Sequence, residues 1–364
     1  MDTTDPDITF DSEGVCNHCR SYERYKRTIG SIGERKERLQ QIVANLKERG
    51  RGKDYDCIMG LSGGVDSSYL AWLAVKEFQL RPLVVHVDTG WNSELAVHNI
   101  QNIVQKLRID LHTLVIDWNE IRDIQRAYFF SGVANLDVPQ DHAFIASLYR
   151  EAKKYGIRDV LNGGNMQTES ILPSAWGYDA SDSVNLRAIH RRFGRVPLRN
   201  YPTITAFQRL LLNPYVLGMR VHRPLEYIAY EKETAKKILK EELGWRDYGG
   251  KHYESIFTKF HQAYYLPTKF GYDKRLAHLS SLIVSGQLAR EDAIRELEEP
   301  LYEERVLREE LHYWLKKLDV TQAEFERVMS EQPKYAQEYP TNDRQKMWIR
   351  RLSRVAVKIK NAIR

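Results

Sequence analysis

Seven residues, Ser62-Gly63-Gly64-Val65-Asp66-Ser67-Ser68, bring together the side-chain types that can do chemistry in this chain. The two glycines permit positive φ and let an anion approach the backbone. The three serines add hydroxyl donors. Asp66 is foreign to a pure anion cradle, and beside phosphates it suits a Mg²⁺ that bridges their oxygens. An apolar run before the stretch, Cys57-Ile58-Met59, reads as a buried strand, and Tyr69 to Val75 reads as a helix. The loop therefore opens onto a helix N-terminus, where backbone N–H groups and the helix dipole favour an anion. A double glycine alone is an ordinary turn. The whole string between a strand and a helix points to a phosphate. No Gly-Lys-Ser/Thr follows, so it is not a Walker A loop. Leu61, Ser62, Gly63, Gly64, Asp66, Ser67 and Ser68 are the candidate phosphate-binding residues, with Asp66 also the candidate magnesium ligand.

Positioning such a loop requires a sheet. Leu83 to Asp88 is an apolar strand ending in a carboxylate, and Ser93 caps a helix running to about Leu107. His112 to Ile116 is a further strand, Asn119 to Phe130 a helix, and Pro139-Gln140-Asp141 leads a helix to Tyr155. Asp159-Val160-Leu161 is a strand that ends in Asn162-Gly163-Gly164-Asn165. This alternation predicts an α/β fold, a parallel twisted sheet with helices on both faces. Such sheets bind ligands beyond the strand C-termini, where the Gly-rich loop, Asp88 and Gly163-Gly164-Asn165 should converge. His86 reads equally as a strand histidine with a satisfied hydrogen bond and as a ligand contact.

Residues 171–223 show weak periodicity and carry Arg187, Arg191, Arg192, Arg195 and Arg199 among aromatics. They read as a long loop lining a pocket or as a solvated insertion, with a strand around Leu217, Met219 and Val221. Beyond an amphipathic helix ending at Leu243-Gly244 lies Gly249-Gly250-Lys251-His252-Tyr253-Glu254-Ser255. Lys251 is the candidate cation for a pyrophosphate. Lys259 and Lys269 read as well as a helix face. Helices then dominate, at 273–284, 289–298, 303–318 and 321–329. The expected units are 1–50, a cysteine-pair segment and helix; 51–225, the α/β domain; and 226–364, mainly helical with a basic tail.

The chain has 364 residues and a net charge of +6. Residues 344–364 hold eight Lys/Arg and no acid, so the remainder carries a net −2. That balance argues against a nucleic-acid-binding body. Trp348, Leu352, Val355, Ile359 and Ile363 make the tail a basic amphipathic helix, which either packs internally or docks on a partner or membrane surface. No apolar run reaches 18 residues, the N-terminus is acidic, and three cysteines make no disulfide framework, which together predict a cytoplasmic protein without a membrane span. Cys16 and Cys19 form one C-x-x-C. This is either half a zinc knuckle, zinc wanting four ligands, or two cysteines in a turn.

The pattern SGGVDSS resembles the pyrophosphate loop of the PP-loop ATP-pyrophosphatase superfamily. The order Asp5-Pro6-Asp7-Ile8-Thr9-Phe10, Gly14-Val15-Cys16-x-x-Cys19, SGGVDSS, HVDTGWN, NGGN, GGKHYES and Gly271-Tyr272-Asp273-Lys274-Arg275 is similar to the N-acetyl sugar amidotransferases of that superfamily. The resemblance implies an adenine nucleotide alpha hydrolase-like fold, with ATP and Mg²⁺ bound at the loop. It places His86 and Asp88 near the nucleoside, and Gly163, Gly164 and Asn165 near the α-phosphate. Lys251 and Asp66 are the implied catalytic pair. The family carries a further C-x-x-C before the position of Met1, which this sequence lacks, so zinc at Cys16 and Cys19 is expected in an incomplete site. The implied reaction is ATP-dependent conversion of an N-acetyl group on a nucleotide-activated sugar to an acetamidino group, in bacterial O-antigen assembly. Ammonia would come from partner glutaminase and cyclase-like subunits, because Met1-Asp2 and the three cysteines offer no glutaminase nucleophile. The alternative is a tRNA-modifying PP-loop enzyme that adenylates a base carbonyl.

Overall fold

A computed structural model describes residues 1–250 and 253–351. Its centre is a five-stranded, fully parallel sheet: β1 (Cys57–Gly60), β2 (Pro82–Asp88), β3 (Asp110–Val115), β4 (Asp159–Leu161) and β5 (Arg220–His222), in the order β3-β2-β1-β4-β5. The chain builds outward from β1 through β2 to β3, then returns to lay β4 on the other side of β1. The direction of winding therefore reverses between β1 and β4. That reversal opens a crevice at the strand C-termini, between the loops that leave β1 and β4.

Fifteen α-helices lie wholly within the described residues. Before the sheet come α1 (Asn17–Ile29) and α2 (Ile32–Gly50), and between its strands α3 (Val65–Trp72), α4 (Glu94–Leu107), α5 (Trp118–Ser131) and α6 (Val138–Lys154). After β4 follow α7 (Met166–Glu169) and α8 (Ser183–Phe193), and after β5 comes α9 (Lys232–Leu243). The C-terminal set is α10 (Ile256–Phe260), α11 (Leu266–Phe270), α12 (Lys274–Val284), α13 (Arg290–Glu298), α14 (Glu304–Leu318) and α15 (Gln322–Ser330).

The side-chain period of two assigns the sheet faces. Cys57, Met59 and Val84 point into a core with α3, α4 and α9, whereas Ile58, Leu83 and Val85 point the other way against Leu148 and Ala152 of α6. Gly60 is required by that second face: a Cβ there would fall 2.1 Å from the Phe144 ring of α6. A third, aromatic core joins α5 and α8 to the C-terminal helices through Phe129, Trp176, Phe257, Phe260, Trp314 and Phe325. The first of these cores takes Leu225, Tyr230, Leu239 and Trp245 together, so it runs across the expected boundary at 225/226.

Two stretches differ from the sequence reading. Residues 171–223 are not one long loop, since they contain α8, which Asp182 caps through the backbone N–H groups of Val184 and Asn185. The cysteine segment is itself helical from Asn17 to Ile29, with Cys16 as its N-cap. Of the expected basic tail helix, residues 343–351 are helical. The rest, from Leu352 on, lies outside the described residues. Among the described residues no helix is long and apolar enough to cross a membrane.

Candidate nucleotide-binding site

The loop after β1 begins as a continuation of that strand. Leu61 N–H donates to the Val85 carbonyl at 2.9 Å, and the Leu61 carbonyl accepts from His86 Nδ1 at 2.9 Å. With that proton on Nδ1, His86 Nε2 accepts from Asn92 Nδ2 at 3.0 Å. Both ring nitrogens are thus engaged by the protein, and His86 ties the loop's start to the turn after β2. Asn92 also donates to Asp88 Oδ1 at 3.1 Å, and Gly90 N–H does so at 2.7 Å. Asp88 therefore folds its own turn back toward the loop.

Gly63 has φ of +87°, the left-handed region that favours glycine. Its carbonyl accepts from Trp245 Nε1 at 2.8 Å and from Tyr248 Oη at 2.9 Å, which fixes the orientation of the Gly63–Gly64 peptide. Gly64 is the N-cap of α3 and donates to Ser62 Oγ at 3.2 Å. Ser67 Oγ lies 3.2 Å from Ser62 Oγ and bridges to the Gly64 carbonyl. Ser68 is fully buried, and its Oγ has no hydrogen-bond partner among the described residues. The cradle has no room for side chains. A Cβ at Gly63 would meet Tyr248 Oη at 2.9 Å, and one at Gly64 would meet Glu254 Oε1 at 3.0 Å. A bare backbone at a helix N-terminus, with hydroxyls on its rim, fits a pyrophosphate.

Asp66 lies in the first turn of α3 and accepts from Tyr230 Oη at 2.5 Å. Burial, then the Asp66 carboxylate, push the Tyr230 phenol far above its ordinary value, so it stays protonated and donates. A carboxylate oxygen at the mouth of an anion cradle suits Mg²⁺. The β4 loop closes the other wall: a Cβ on Gly163 would sit 3.3 Å from the Asp66 carbonyl. Gly164 N–H donates to Asn162 Oδ1 at 2.8 Å, and Asn165 caps α7 by accepting from Thr168 N–H at 2.9 Å. The structure thus gathers the β1 loop and the Gly163-Gly164-Asn165 loop at the crevice, with the Asp88 turn linked to it through His86.

Lys251 lies outside the described residues; Glu254 and Ile256 pair with the turn after β2. Ser93 N–H donates to the Glu254 carbonyl at 2.9 Å, and Ile256 N–H donates to the Trp91 carbonyl at 3.0 Å. Lys259 and Lys269 are engaged elsewhere. Lys259 pairs with Glu310 at 2.5 Å, and Lys269 caps α15 through the Val328 and Glu331 carbonyls. The arginines expected to line a pocket sit on α8 and the segment after it: Arg187 donates to Thr203 Oγ1 at 3.3 Å, and Arg192 lies over the Tyr339 ring. Cys16 and Cys19 hold their sulfurs 3.4 Å apart, and His18 turns to Asp5 at 2.6 Å. Burial, then Cys16 itself, push the Cys19 thiol up. Among the described residues no group of three or more His, Cys, Asp or Glu side chains is placed to hold a metal.

Four parts of the site escape sequence reasoning: Tyr230, Trp245, Tyr248 and the polar cluster beyond β2. In that cluster Asp137 Oδ1 accepts from Gln140 Nε2 at 2.6 Å and from Thr258 Oγ1 at 3.0 Å, while His261 Nδ1 meets Asp137 Oδ2 at 3.1 Å. Lys317 Nζ sits among the rings of Trp91, Trp118 and Tyr313, 4.6, 5.1 and 5.1 Å from their centroids, and also donates to the Gly90 carbonyl. It pins the turn that carries Asp88. Tyr230, Trp245, Tyr248, His261 and Lys317 have no local sequence signal, because the partners that place them here lie 124 to 227 residues away in the chain.

Comparison with known proteins finds family similarity over two regions. A family described as NAD synthase matches residues 36–136, and one described as LPS biosynthesis protein WbpG-like, C-terminal domain, matches residues 254–354. An uncharacterized protein from Methanocaldococcus jannaschii is 23% identical over 312 residues, 82% of this chain and 92% of its own length. The NMN synthetase of Francisella tularensis aligns with a TM-score of 0.30 at 15% identity, over 62% of this chain and 97% of its own. The NH3-dependent NAD synthetase of Campylobacter jejuni, in complex with the nitrate ion, aligns with a TM-score of 0.30 at 14% identity, over 59% of this chain and 94% of its own.

Proposed function

For this chain, a WbpG-like PP-loop protein that uses ATP, we propose the role of an amidotransferase. Its substrate is the N-acetyl group of a nucleotide-activated sugar, its product the acetamidino derivative, and its setting the cytoplasmic stage of surface-polysaccharide (O-antigen) assembly. The observation that carries this reading is the joining of an Asp66-bearing phosphate loop, at the reversal point of the sheet, to a WbpG-like helical domain through the Ser93–Glu254 and Trp91–Ile256 backbone hydrogen bonds.

The chemistry follows from the parts. An amide oxygen is a poor leaving group, so ammonia cannot displace it directly. Attack of that oxygen on the α-phosphorus of ATP forms a P–O bond and breaks the bond to pyrophosphate. Ammonia then adds to the activated carbon, and AMP leaves with the oxygen, giving the amidine after loss of protons. The N–H groups and hydroxyls of Ser62–Ser68 hold the departing pyrophosphate, and Gly163 and Gly164 let the α-phosphate approach the second loop. Asp66 would hold Mg²⁺, which when bound neutralises charge on the phosphates. The Asp88 turn faces the nucleoside, and Lys251 supplies a cation to the phosphates. Cys16 and Cys19 offer two of the four thiolate or imidazole ligands that a structural zinc takes.

The test is release of AMP and pyrophosphate by the purified chain with ATP, Mg²⁺, ammonium and a panel of UDP-linked N-acetyl sugars. Release that depends on one sugar, and is abolished by Asp66→Ala in a folded protein, supports the reading. Unchanged turnover in Asp66→Ala overturns the site. Release stimulated by tRNA and by no sugar overturns the substrate.

A further inference from the structure

Tyr230 is contributed by the segment between β5 and α9, 164 residues from Asp66 in the chain, yet its hydroxyl donates to Asp66 Oδ1 at 2.5 Å. A carboxylate with two oxygens and rotation about χ2 can face a cation in several ways. A donor fixed on one oxygen removes that freedom. Tyr230 is itself fixed from two sides. Its ring, 2% exposed, stacks on Tyr69 at 5.6 Å, and Tyr69 stacks on Trp72 at 5.5 Å, both on α3, the helix that carries Asp66. Its backbone is held by one side chain from the C-terminal helical region. Gln287, just after α12, donates from Nε2 to the Tyr230 carbonyl at 3.0 Å and accepts from Lys232 N–H at Oε1, also at 3.0 Å. Gln287 lies within the WbpG-like match at 254–354.

From this geometry we infer that Tyr230 is a positioning residue for the metal-binding carboxylate Asp66, and that Gln287 extends that hold to the C-terminal domain. The consequence is coupling. The affinity of the loop for a divalent cation with its nucleotide depends on how the C-terminal domain seats the 230–232 segment, although no residue of α12 touches the loop through this path. The inference rests on the assignment of Asp66 as the magnesium ligand. It differs from that assignment in placing part of the metal affinity in two residues that never touch the metal.

The experiment measures binding of Mn²⁺, as a paramagnetic stand-in for Mg²⁺, by electron paramagnetic resonance on the full chain with a non-hydrolysable ATP analogue. Analogue binding without metal and the thermal midpoint are recorded beside it. Tyr230→Phe keeps the stacked ring and removes only the donor. It should weaken Mn²⁺ binding by about tenfold, the scale of a hydrogen bond to a charged group, while metal-free analogue binding stays within twofold of wild type (about 0.4 kcal/mol or less). Gln287→Ala should shift Mn²⁺ affinity in the same direction by less, and Gln287→Glu, which retains the acceptor Oε1 but loses the donor, should fall between it and wild type. Asp66→Asn sets the full effect. If Asp66→Asn weakens Mn²⁺ binding and Tyr230→Phe does not, the positioning role is overturned while the site stands. If Asp66→Asn itself binds Mn²⁺ like wild type, the site assignment is what has failed. A Gln287→Ala protein with wild-type Mn²⁺ affinity and only a lower thermal midpoint overturns the coupling to the C-terminal domain.

Discussion

At the scale of residues, the loop was legible because its chemistry is local. Ser62 to Ser68 carry glycines, hydroxyls and a carboxylate within two turns, and the structure sets them at a strand end and a helix start. What surrounds them was not legible, because Tyr230, Trp245 and Tyr248 are ordinary aromatics until the fold brings them to Asp66 and Gly63. His86 illustrates the middle case. Its pattern allowed two readings, and the geometry shows each ring nitrogen bonded inside the protein. Gly163 offers a prediction at this scale. A methyl there would stand 3.3 Å from the Asp66 carbonyl carbon and oxygen, on the first turn of α3. Gly163 is not among the positive-φ glycines, so alanine suits its backbone and the cost falls on the cradle. Gly163→Ala should weaken ATP binding by about tenfold, roughly 1.4 kcal/mol, with a thermal midpoint close to wild type. Calorimetric titration against ATP checks it, and an unchanged affinity would separate the β4 loop from the nucleotide.

At the scale of elements, apolar runs bounded by polar turns identified the first four strands, and the alternation of Leu217, Met219 and Val221 marked the neighbourhood of β5. Helices with a clear apolar stripe, such as α4 and α14, were read to within a residue or two of their ends. The short helices of the 256–270 stretch, read in sequence only as an alternative lysine-bearing helix face, lack that stripe for physical reasons. In α10 and α11, Phe257, Phe260 and Leu266 are fully buried, and Lys269 too is drawn inside to cap α15. A helix packed on several sides shows no amphipathic period. These helices also hold the buried cluster that fastens the start of α6 to α10. Burial pushes the Asp137 carboxyl up, but His261, the charge of Lys274 and the hydrogen bond from Thr258 outweigh it and hold the carboxyl down, at about 2. An unfolded Asp titrates near 3.9, so the contribution to stability is complete above roughly pH 4 and is lost as pH falls toward about 2. The shift corresponds to roughly 2–3 kcal/mol. Asp137→Asn should therefore lower stability at neutral pH and flatten the acid limb of a denaturation series between about pH 4 and pH 2. An acid limb identical to wild type would show that other carboxylates govern it.

At the scale of the whole molecule, the question is where ammonia comes from. Hydrolysing glutamine requires an activated nucleophile, normally a cysteine thiolate with a base in reach. This chain has three cysteines. Cys57 begins β1 with no exposed surface, and burial, then the nearby Asp56 and Asp159 charges, push its thiol well above the ordinary value. A thiol so placed is neither accessible nor ionised. Cys16 is the buried N-cap of α1, with its sulfur 3.4 Å from that of Cys19, and burial raises the Cys19 thiol as well. The adjacent His18, which could serve either as a base, is instead turned to Asp5. All three cysteines are thus accounted for by a core and a paired turn. Under the proposed reading this chain would activate the carbonyl, and we propose that a separate glutaminase, with a cyclase-like subunit to conduct the product, delivers the ammonia. The expected outcome is amidine formation by the purified chain in high ammonium at alkaline pH, where unprotonated ammonia is plentiful. With glutamine alone there should be none, until a glutaminase partner is added. Cys16→Ser and Cys57→Ser proteins that remain folded should keep ammonium-dependent turnover. Glutamine-dependent turnover by the chain on its own, lost in one of those variants, would place a glutaminase nucleophile where this structure shows only a structural cysteine.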